Sequence, residues 1–254
     1  MNQTKIEWTS LTWNPVHGCS RVSEGCRNCY AEQLSLRYGT TKKPWTVQNE
    51  QENVLLQRHK LKEPYRLKKP SMIFVNSMSD LFHEMIPDDY RQEIFGVMRD
   101  LPQHAFQVLT KRPQVAAEWP DWPSNVWLGV SVERQKEAER RVPLLAGIPA
   151  AIRFISAEPL LGELNLVQWL SSLQWVIAGG ESGPNARPMN PGWARSLRDQ
   201  CVAAGVPFFF KQWGEHDERL VRVGKQRAGH VLDGREWQQM PTPDEAPVQM
   251  ALEL

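Results

Sequence analysis

The sequence predicts an α/β fold, built as a full or partial (β/α) barrel with mostly parallel strands. From residue 71 onward, short runs of apolar residues, many of them β-branched or aromatic, recur at residues 72–76, 105–109, 126–130, 152–155, 175–178 and 206–210. The runs are continuous rather than alternating in polarity, which is typical of strands buried on both faces of a parallel sheet. Their centres lie about 20 to 35 residues apart, which leaves room for the helix that each parallel crossover needs.

Helix signals fill the gaps between these runs. Pro87 precedes two aspartates and a series of apolar residues at helical spacing. Asn190 is an N-cap followed by proline at the first helical position, and Gly205 supplies the stop. A first strand is expected at residues 6–13 and a helix at residues 30–38. Seven units of this kind favour a barrel over a doubly wound sheet.

Two stretches fall outside the repeat. Residues 39–70 have mixed polarity and are expected to be an insertion into a barrel domain that spans residues 1–214. Nine Lys or Arg stand against three Glu between residues 37 and 69, although the whole chain carries a net charge of only +1. Such a run is typical of a solvated face, and it also suits an anionic partner. Residues 215–254 form a polar C-terminal extension whose last part, residues 241–254, is expected to be mobile.

Length and composition exclude several classes of protein. The 254 residues are 41% hydrophobic and 23% charged, which suits a large globular fold and argues against a disordered or fibrous chain. No stretch reaches the roughly 18 uncharged apolar residues of a membrane span. The first ten residues contain no apolar core of a signal peptide. We therefore expect a cytoplasmic protein without a membrane partner.

Three of the four cysteines, Cys19, Cys26 and Cys29, are spaced as C-x6-C-x2-C. In a large chain from a reducing compartment, close thiols indicate a metal site rather than a disulfide scaffold. Three thiolates leave an iron–sulfur cubane one ligand short, and the open iron is then available for chemistry. Zinc is the alternative, since His17 would complete a closed set of four ligands. Cys201 falls in an apolar helical pattern and is expected to be buried.

Charged or hydroxyl residues follow each expected strand. The C-terminal ends of the strands in a (β/α) barrel meet at one rim, where active sites lie. Six polar ends on one rim predict a polar site. Each rim carboxylate either binds a ligand or forms a salt bridge, and Lys211 is either a solvated cation or a contact for an anionic substrate. The candidate residues are Ser77, Ser79, Asp80, Lys111, Arg112, Ser131, Glu133, Glu158, Glu181, Lys211 and Trp213.

Short blocks spread over nearly the whole chain carry a resemblance to a known family. They are residues 5–9, 12–15, 18–32, 76–82, 110–113, 129–133, 156–160, 179–183, 210–214 and 232–235. On these blocks the chain resembles the phage-associated three-cysteine-motif family, a radical-SAM-like group without an assigned function. Two features depart from the usual radical-SAM pattern. The first cysteine gap is six residues rather than three, and Asn28 stands where an aromatic residue is typical.

The resemblance implies a barrel of radical-SAM type with a [4Fe-4S] cluster on Cys19, Cys26 and Cys29. S-adenosylmethionine would chelate the fourth iron, and an electron from an external donor would cleave it to a 5′-deoxyadenosyl radical. A nucleic acid or a nucleotide is the expected substrate, from the basic segment, the eleven tryptophans and the phage association. The expected contacts are Ser77, Ser79 and Asp80 for the ammonium group of S-adenosylmethionine, Ser131 and Glu133 for its ribose or carboxylate, Glu158 and Glu181 for its ribose or ammonium group, and Lys111, Arg112, Lys211 and Trp213 for the substrate.

Overall fold

The computed structural model describes residues 1–242 and contains one large sheet at its centre. The strands in this part of the chain are β1 (Asn2–Gln3), β2 (Leu11–Trp13), β3 (Val16–His17), β4 (Leu55–Leu56), β5 (Met72–Val75), β6 (Ala105–Thr110), β7 (Val126–Ser131), β8 (Ile152–Ala157), β9 (Trp175–Gly179), β10 (Phe208–Gln212), β11 (Val231–Leu232) and β12 (Arg235–Glu236). Eight of them form the sheet in the order β1-β2-β5-β6-β7-β8-β9-β10. The seven strands from β2 to β10 run parallel, and β1 pairs antiparallel at the edge. This curled half-barrel confirms the predicted α/β fold in its partial-barrel form.

Helices connect the parallel strands, as the crossovers require. The α-helices are α1 (Tyr30–Arg37), α2 (Glu50–Asn53), α3 (Asp88–Asp100), α4 (Pro113–Ala117), α5 (Gln135–Ala146), α6 (Pro191–Ala204) and α7 (Lys225–Ala228). The predicted ends of α6 are confirmed. The Asn190 side chain accepts a hydrogen bond from the Gly192 amide at 2.8 Å, and Gly205 ends the helix with a φ of 69°. No helix within residues 1–242 combines the length and the apolar character needed to cross a bilayer.

The first strand is shorter than predicted, because residues 6–10 form a turn instead. Only Leu11–Trp13 pairs with β5. The Trp8 side chain is 2% exposed and packs on Phe74, with 4.7 Å between the ring centroids. The prediction of a strand over residues 6–13 is wrong for its first half because a loop that fills a barrel interior is as apolar as a strand.

The two faces of the sheet bury different layers. Leu128, Val130 and other aliphatic side chains pack against α3, α5 and α6 on the outer face. The inner face carries a cluster of large aromatic side chains, which fill the half-barrel from within: Trp8, Phe74, Trp127, Phe154, Trp175 and Phe209. Most of the tryptophans, whose number was one reason to expect a nucleic acid or a nucleotide as the substrate, therefore belong to the cores, where they contribute apolar burial.

The predicted insertion at residues 39–70 packs on the barrel. Its strand β4 pairs antiparallel with β3, and the Trp13 indole nitrogen donates to the Lys60 carbonyl at 2.8 Å. The chain after residue 214 covers the open edge of β10, where the Phe210 amide donates to the Trp237 carbonyl at 2.7 Å. Residues 243–254, which hold most of the tail predicted to be mobile, lie outside the described residues.

Candidate functional site

The three cysteines line one cavity of about 260 Å³ at the carboxyl ends of the parallel strands. Trp8 and Phe74, from the inner aromatic cluster, also contribute to its lining. Glu133 and Trp213 are not part of this lining. The structure thus brings together most of the residues expected at the site, namely Cys19, Cys26, Cys29, Ser77, Ser79, Asp80, Lys111, Arg112, Ser131, Glu158, Glu181 and Lys211.

Trp213 is a core residue. Its ring packs against Phe210 at 4.9 Å between centroids, and its indole nitrogen donates to the Val231 carbonyl at 2.8 Å. The side chain is 4% exposed. The structure therefore gives Trp213 a packing role and does not place it beside the cavity.

The loop that carries the cysteines, residues 18–29 (the cysteine loop), is fixed at its start by Gly18. The Gly18 amide donates to the Met78 carbonyl at 2.9 Å, and the Ser79 hydroxyl donates to the Gly18 carbonyl at 2.6 Å. Gly18 has a φ of 84°, and a Cβ there would lie 1.8 Å from the Asn53 carbonyl oxygen. Only glycine fits this position, since both the backbone conformation and the close approach exclude a side chain.

The middle of the cysteine loop is held by Glu133, at the end of β7. The Glu133 carboxylate accepts from the Ser23 hydroxyl at 2.8 Å and from Arg141 at 2.9 Å, and it forms an ion pair with Lys111. A Cβ on Gly25 would lie 2.4 Å from the Glu133 side chain. Burial raises the pKa of Glu133, but Lys111 and Arg141 outweigh this and hold it below its usual value. Glu133 is therefore a buried anchor for the loop.

The end of the cysteine loop is held by Glu181, which follows β9. The Asn28 side-chain amide donates to Glu181 at 3.0 Å, and Arg187 makes an ion pair with the same carboxylate at 2.6 Å. Arg187 also reaches Glu24 at 3.0 Å. Burial raises the pKa of Glu181, but its hydrogen bonds to Arg187 and Asn28 bring it below the usual value. Asn28 thus has a structural partner that an aromatic residue at this position would lack.

Asp80 and Arg112 form a buried pair beside Cys19. Both Asp80 oxygens have protein donors: the Thr110 hydroxyl at 2.7 Å and the Phe82 amide at 3.0 Å on one, and the Lys111 amide at 2.9 Å and Arg112 at 3.2 Å on the other. Burial raises the pKa of Asp80, but Arg112 and these hydrogen bonds lower it overall. The structure places Asp80 at the cavity with its oxygens already bonded.

The three thiols differ in their environments. Burial raises the pKa of Cys19 to about 12 even though Arg112 opposes it, and burial also raises the pKa of Cys29. For Cys26 the effect of burial is outweighed by Lys111 and by backbone hydrogen bonds, so its pKa lies below the usual value. The charge on Cys26 further raises the pKa of both other thiols.

The arrangement of these donors fits an iron–sulfur cluster better than a zinc site. Within residues 1–242, no three His, Cys, Asp or Glu side chains converge closely enough to hold a single metal ion. A structural zinc needs four ligand atoms at about 2.0–2.3 Å from one ion. In addition, His17 does not line the cavity, and its Nε2 lies 3.4 Å from the Lys60 ammonium group. Three separated thiols around a cavity suit an iron–sulfur cluster better, because each thiolate of such a cluster binds a different iron.

Glu158 and Lys211 face the cavity as an ion pair, with 2.9 Å between their charged atoms. The Ser156 hydroxyl donates to the other Glu158 oxygen at 3.1 Å. The Ser131 side chain also lines the cavity, and its hydroxyl makes no hydrogen bond to any residue in the described part of the chain. These four polar groups lie at the ends of β7, β8 and β10 and line the cavity.

The chain matches a protein family over residues 3–241, nearly its full length; the family is described as protein of unknown function (DUF5131). The chain belongs to DUF5131. No curated protein and no solved structure matches it significantly. The match to DUF5131 covers the cysteine loop and every strand end that lines the cavity. The finer resemblance, to radical-SAM-like proteins, stays a prediction.

Sequence reasoning missed several residues of this DUF5131 site. Trp8 Nε1, Asn76 Nδ2 and Gln212 Oε1 are buried polar atoms without a hydrogen-bond partner among the described residues, and all three residues line the cavity. Asn76 also has a φ of 61°, in the left-handed region that few side chains adopt. Unpartnered buried polar groups and local strain are concentrated at binding sites. The position of Asn76 directly after β5 was the available sequence signal.

Proposed function

We propose that the chain is a radical S-adenosylmethionine enzyme whose Cys19, Cys26 and Cys29 each bind one iron of a [4Fe-4S] cluster. One observation carries the proposal: three separated thiols line a single cavity at the carboxyl ends of a parallel half-barrel. When bound, the cluster would supply an electron for reductive cleavage of S-adenosylmethionine to a 5′-deoxyadenosyl radical. That electron comes from an external donor.

Other residues of the chain would contact the cofactor, exclude water and support the cysteine loop. When bound, S-adenosylmethionine would supply the ligands of the iron for which the three cysteines leave no thiolate. Ser131 and Glu158 are our proposed contacts for its polar groups, because both line the cavity and the Ser131 hydroxyl has no other described partner. Trp8 and Phe74 exclude water from the inner end of the cavity. Glu133 and Glu181 hold the cysteine loop directly, and Asp80 does so through Arg112, which donates to Ser20.

The first experiment is purification of the protein without oxygen, followed by assays for iron, sulfide and zinc. We expect brown protein with about four irons and four sulfides per chain, and S-adenosylmethionine should change its electron paramagnetic resonance signal. Cys26→Ala should lose the cluster because two thiolates remain. Cys201→Ala is the matched control, since Cys201 is fully buried in α6 and does not line the cavity. Colourless protein with about one zinc per chain, lost in His17→Ala, would overturn the proposal.

We propose single-stranded nucleic acid as the substrate, bound along one exposed stripe of α1. Tyr30, Leu34 and Arg37 follow each other at helical spacing, are all exposed, and continue into Tyr38. Tyr30 lines the cavity, so the stripe leads away from the cavity mouth. Arg37 lies over the Tyr38 ring at 5.8 Å and makes no ion pair within the described residues. Aromatic rings beside free cations are the features that bind bases and phosphates of single strands.

Binding of a fluorescein-labelled single-stranded oligonucleotide, measured by anisotropy, tests this substrate class. Tyr38→Ala should weaken binding roughly 5- to 100-fold, as expected for loss of one stacking platform. Arg37→Glu should weaken binding further at low salt than at high salt. Lys69→Glu is the control, because it removes an exposed charge from the same basic segment outside α1. Unchanged affinity in both α1 variants would contradict the proposal. If these variants instead slow the reduction of the cluster by an acidic electron-donor protein, the stripe is the docking site of that donor.

A further inference from the structure

Lys111 and Arg112, which follow β6, are far more buried than substrate contacts would be. Arg112 is 1% exposed, and the Lys111 side chain is 19% exposed. Both residues line the cavity, yet their charged groups point to protein partners. These two adjacent cations therefore interact with the protein itself, between the end of β6 and the cysteine loop.

Arg112 uses its guanidinium group to connect Cys19 with three other residues. Its Nη1 lies 3.5 Å from the Cys19 sulfur and 3.2 Å from Asp80. Its Nη2 donates to the carbonyl and the hydroxyl of Ser20, both at 3.0 Å, and its Nε donates to Glu84 at 2.7 Å. The group is thus fixed from three sides with one N–H on the sulfur, and rigid donors of this kind orient metal ligands.

Lys111 acts on the part of the cysteine loop around Cys26 through Glu133, which accepts from the Ser23 hydroxyl. Its ammonium group forms an ion pair with Glu133, and its charge acts on the Cys26 thiol. Glu133 is shared with Arg141. The three cations of this network, Lys111, Arg112 and Arg141, face the buried carboxylates of Asp80 and Glu133 and the more exposed Glu84, and of these groups Arg112 donates directly to a cysteine sulfur.

We propose that Lys111 and Arg112 are positioning residues of the cluster: Arg112 fixes Cys19, Lys111 supports the loop before Cys26 through Glu133, and the two cations raise the reduction potential of the cluster. This inference rests on the proposed function. Reduction adds a negative charge to the cluster, and a fixed positive charge nearby stabilises the reduced form. A hydrogen bond to a cluster sulfur acts in the same direction. Lys111 and Arg112 would then support the cluster, instead of binding the substrate as the sequence predicted.

The test is a redox titration of the loaded protein without S-adenosylmethionine, followed by electron paramagnetic resonance. Arg112→Gln and Lys111→Met should both shift the midpoint potential to more negative values. The conservative variants Arg112→Lys and Lys111→Arg should recover most of the shift. Arg91→Gln is the matched control, because Arg91 is an equally buried arginine whose described hydrogen bonds do not involve the cysteine loop; its midpoint potential should equal that of the parent.

The possible results distinguish a failure of the proposed function from a failure of this inference. Parent protein that binds no iron after reconstitution would remove the proposed function together with this inference. Parent protein with a full cluster, and variants whose midpoint potential equals the parent value, would overturn the inference alone. If Arg112→Gln does not fold, Lys111→Met decides the matter by itself, since it leaves the Asp80–Arg112 pair intact.

Discussion

Replacing Asp80 with asparagine tests whether this carboxylate is an internal support or a contact for the cofactor. Asp80 is 6% exposed, and its two oxygens accept from two side chains and two backbone amides. The asparagine side chain would keep the shape of the aspartate but remove the charge that compensates Arg112. Breaking a buried pair and leaving one charge uncompensated typically costs about 3–5 kcal/mol. For a chain of this size that corresponds to a fall of roughly 6–20 °C in melting temperature.

The measurement is thermal and urea unfolding of metal-free protein, so that cofactor binding does not contribute to the measured stability. Glu84→Gln is the control, because Glu84 pairs with the same guanidinium group at 2.7 Å but is 54% exposed. An exposed partner of this kind contributes only about 0–1 kcal/mol. An Asp80→Asn melting temperature within about 2 °C of the parent value, together with weaker binding of S-adenosylmethionine by the loaded variant, would contradict the prediction. That result would return Asp80 to the role expected from the sequence.

Two further predictions concern the start of the cysteine loop. Gly18→Ala should destabilise the protein by about 1–3 kcal/mol more than Gly39→Ala, measured by urea unfolding, because both glycines have a positive φ but only a Cβ on Gly18 meets a backbone atom, the Asn53 carbonyl oxygen. Equal losses would show that conformational strain alone matters. Burial, with Lys60 as a further cause, lowers the pKa of His17 to about 4. The unfolded chain therefore binds a proton between about pH 6.5 and pH 4 that the folded chain does not, so stability falls as the pH falls through this range. His17→Gln should reduce this loss of stability, measured as the difference between the melting temperatures at about pH 7.5 and pH 5. An unchanged difference would mean that other groups cause the loss.

The sequence predicts the sheet well because strands buried on both faces leave a strong local signal. The runs at residues 72–76 and 126–130 lie within one or two residues of β5 and β7. The error at residues 6–13 has a physical cause: Trp8 is as buried as a strand residue but reaches the interior from a turn. Periodicity reports burial, and it cannot distinguish a strand from a loop that fills the inside of a barrel.

The candidate site was predictable in location but not in its pairings. Parallel strands place their carboxyl ends at one edge, so the residues after each strand had to meet. Which carboxylate faces the cavity depends on partners that lie far away in sequence. Arg141 comes from within α5 to Glu133, and Arg187 is held between Glu181 and Glu24. Arg141 lies in a helix and Arg187 in the segment before α6, and neither position carries a local sign of such a contact, so the sequence alone assigned Glu133 and Glu181 to the cofactor.

The anchors of the cysteine loop also account for its long first gap. The loop meets the segment after β5 at Gly18, the segment after β7 at Ser23 and the segment after β9 at Asn28. Since β5, β7 and β9 are alternate strands of one sheet, the loop crosses the rim in the same order as the strands. The six residues between Cys19 and Cys26 include Ser23, whose hydroxyl donates to Glu133, and Gly25, where a Cβ would meet the same side chain. The gap that departs from the usual radical-SAM spacing therefore contains the residues that fasten the cysteine loop to the end of β7.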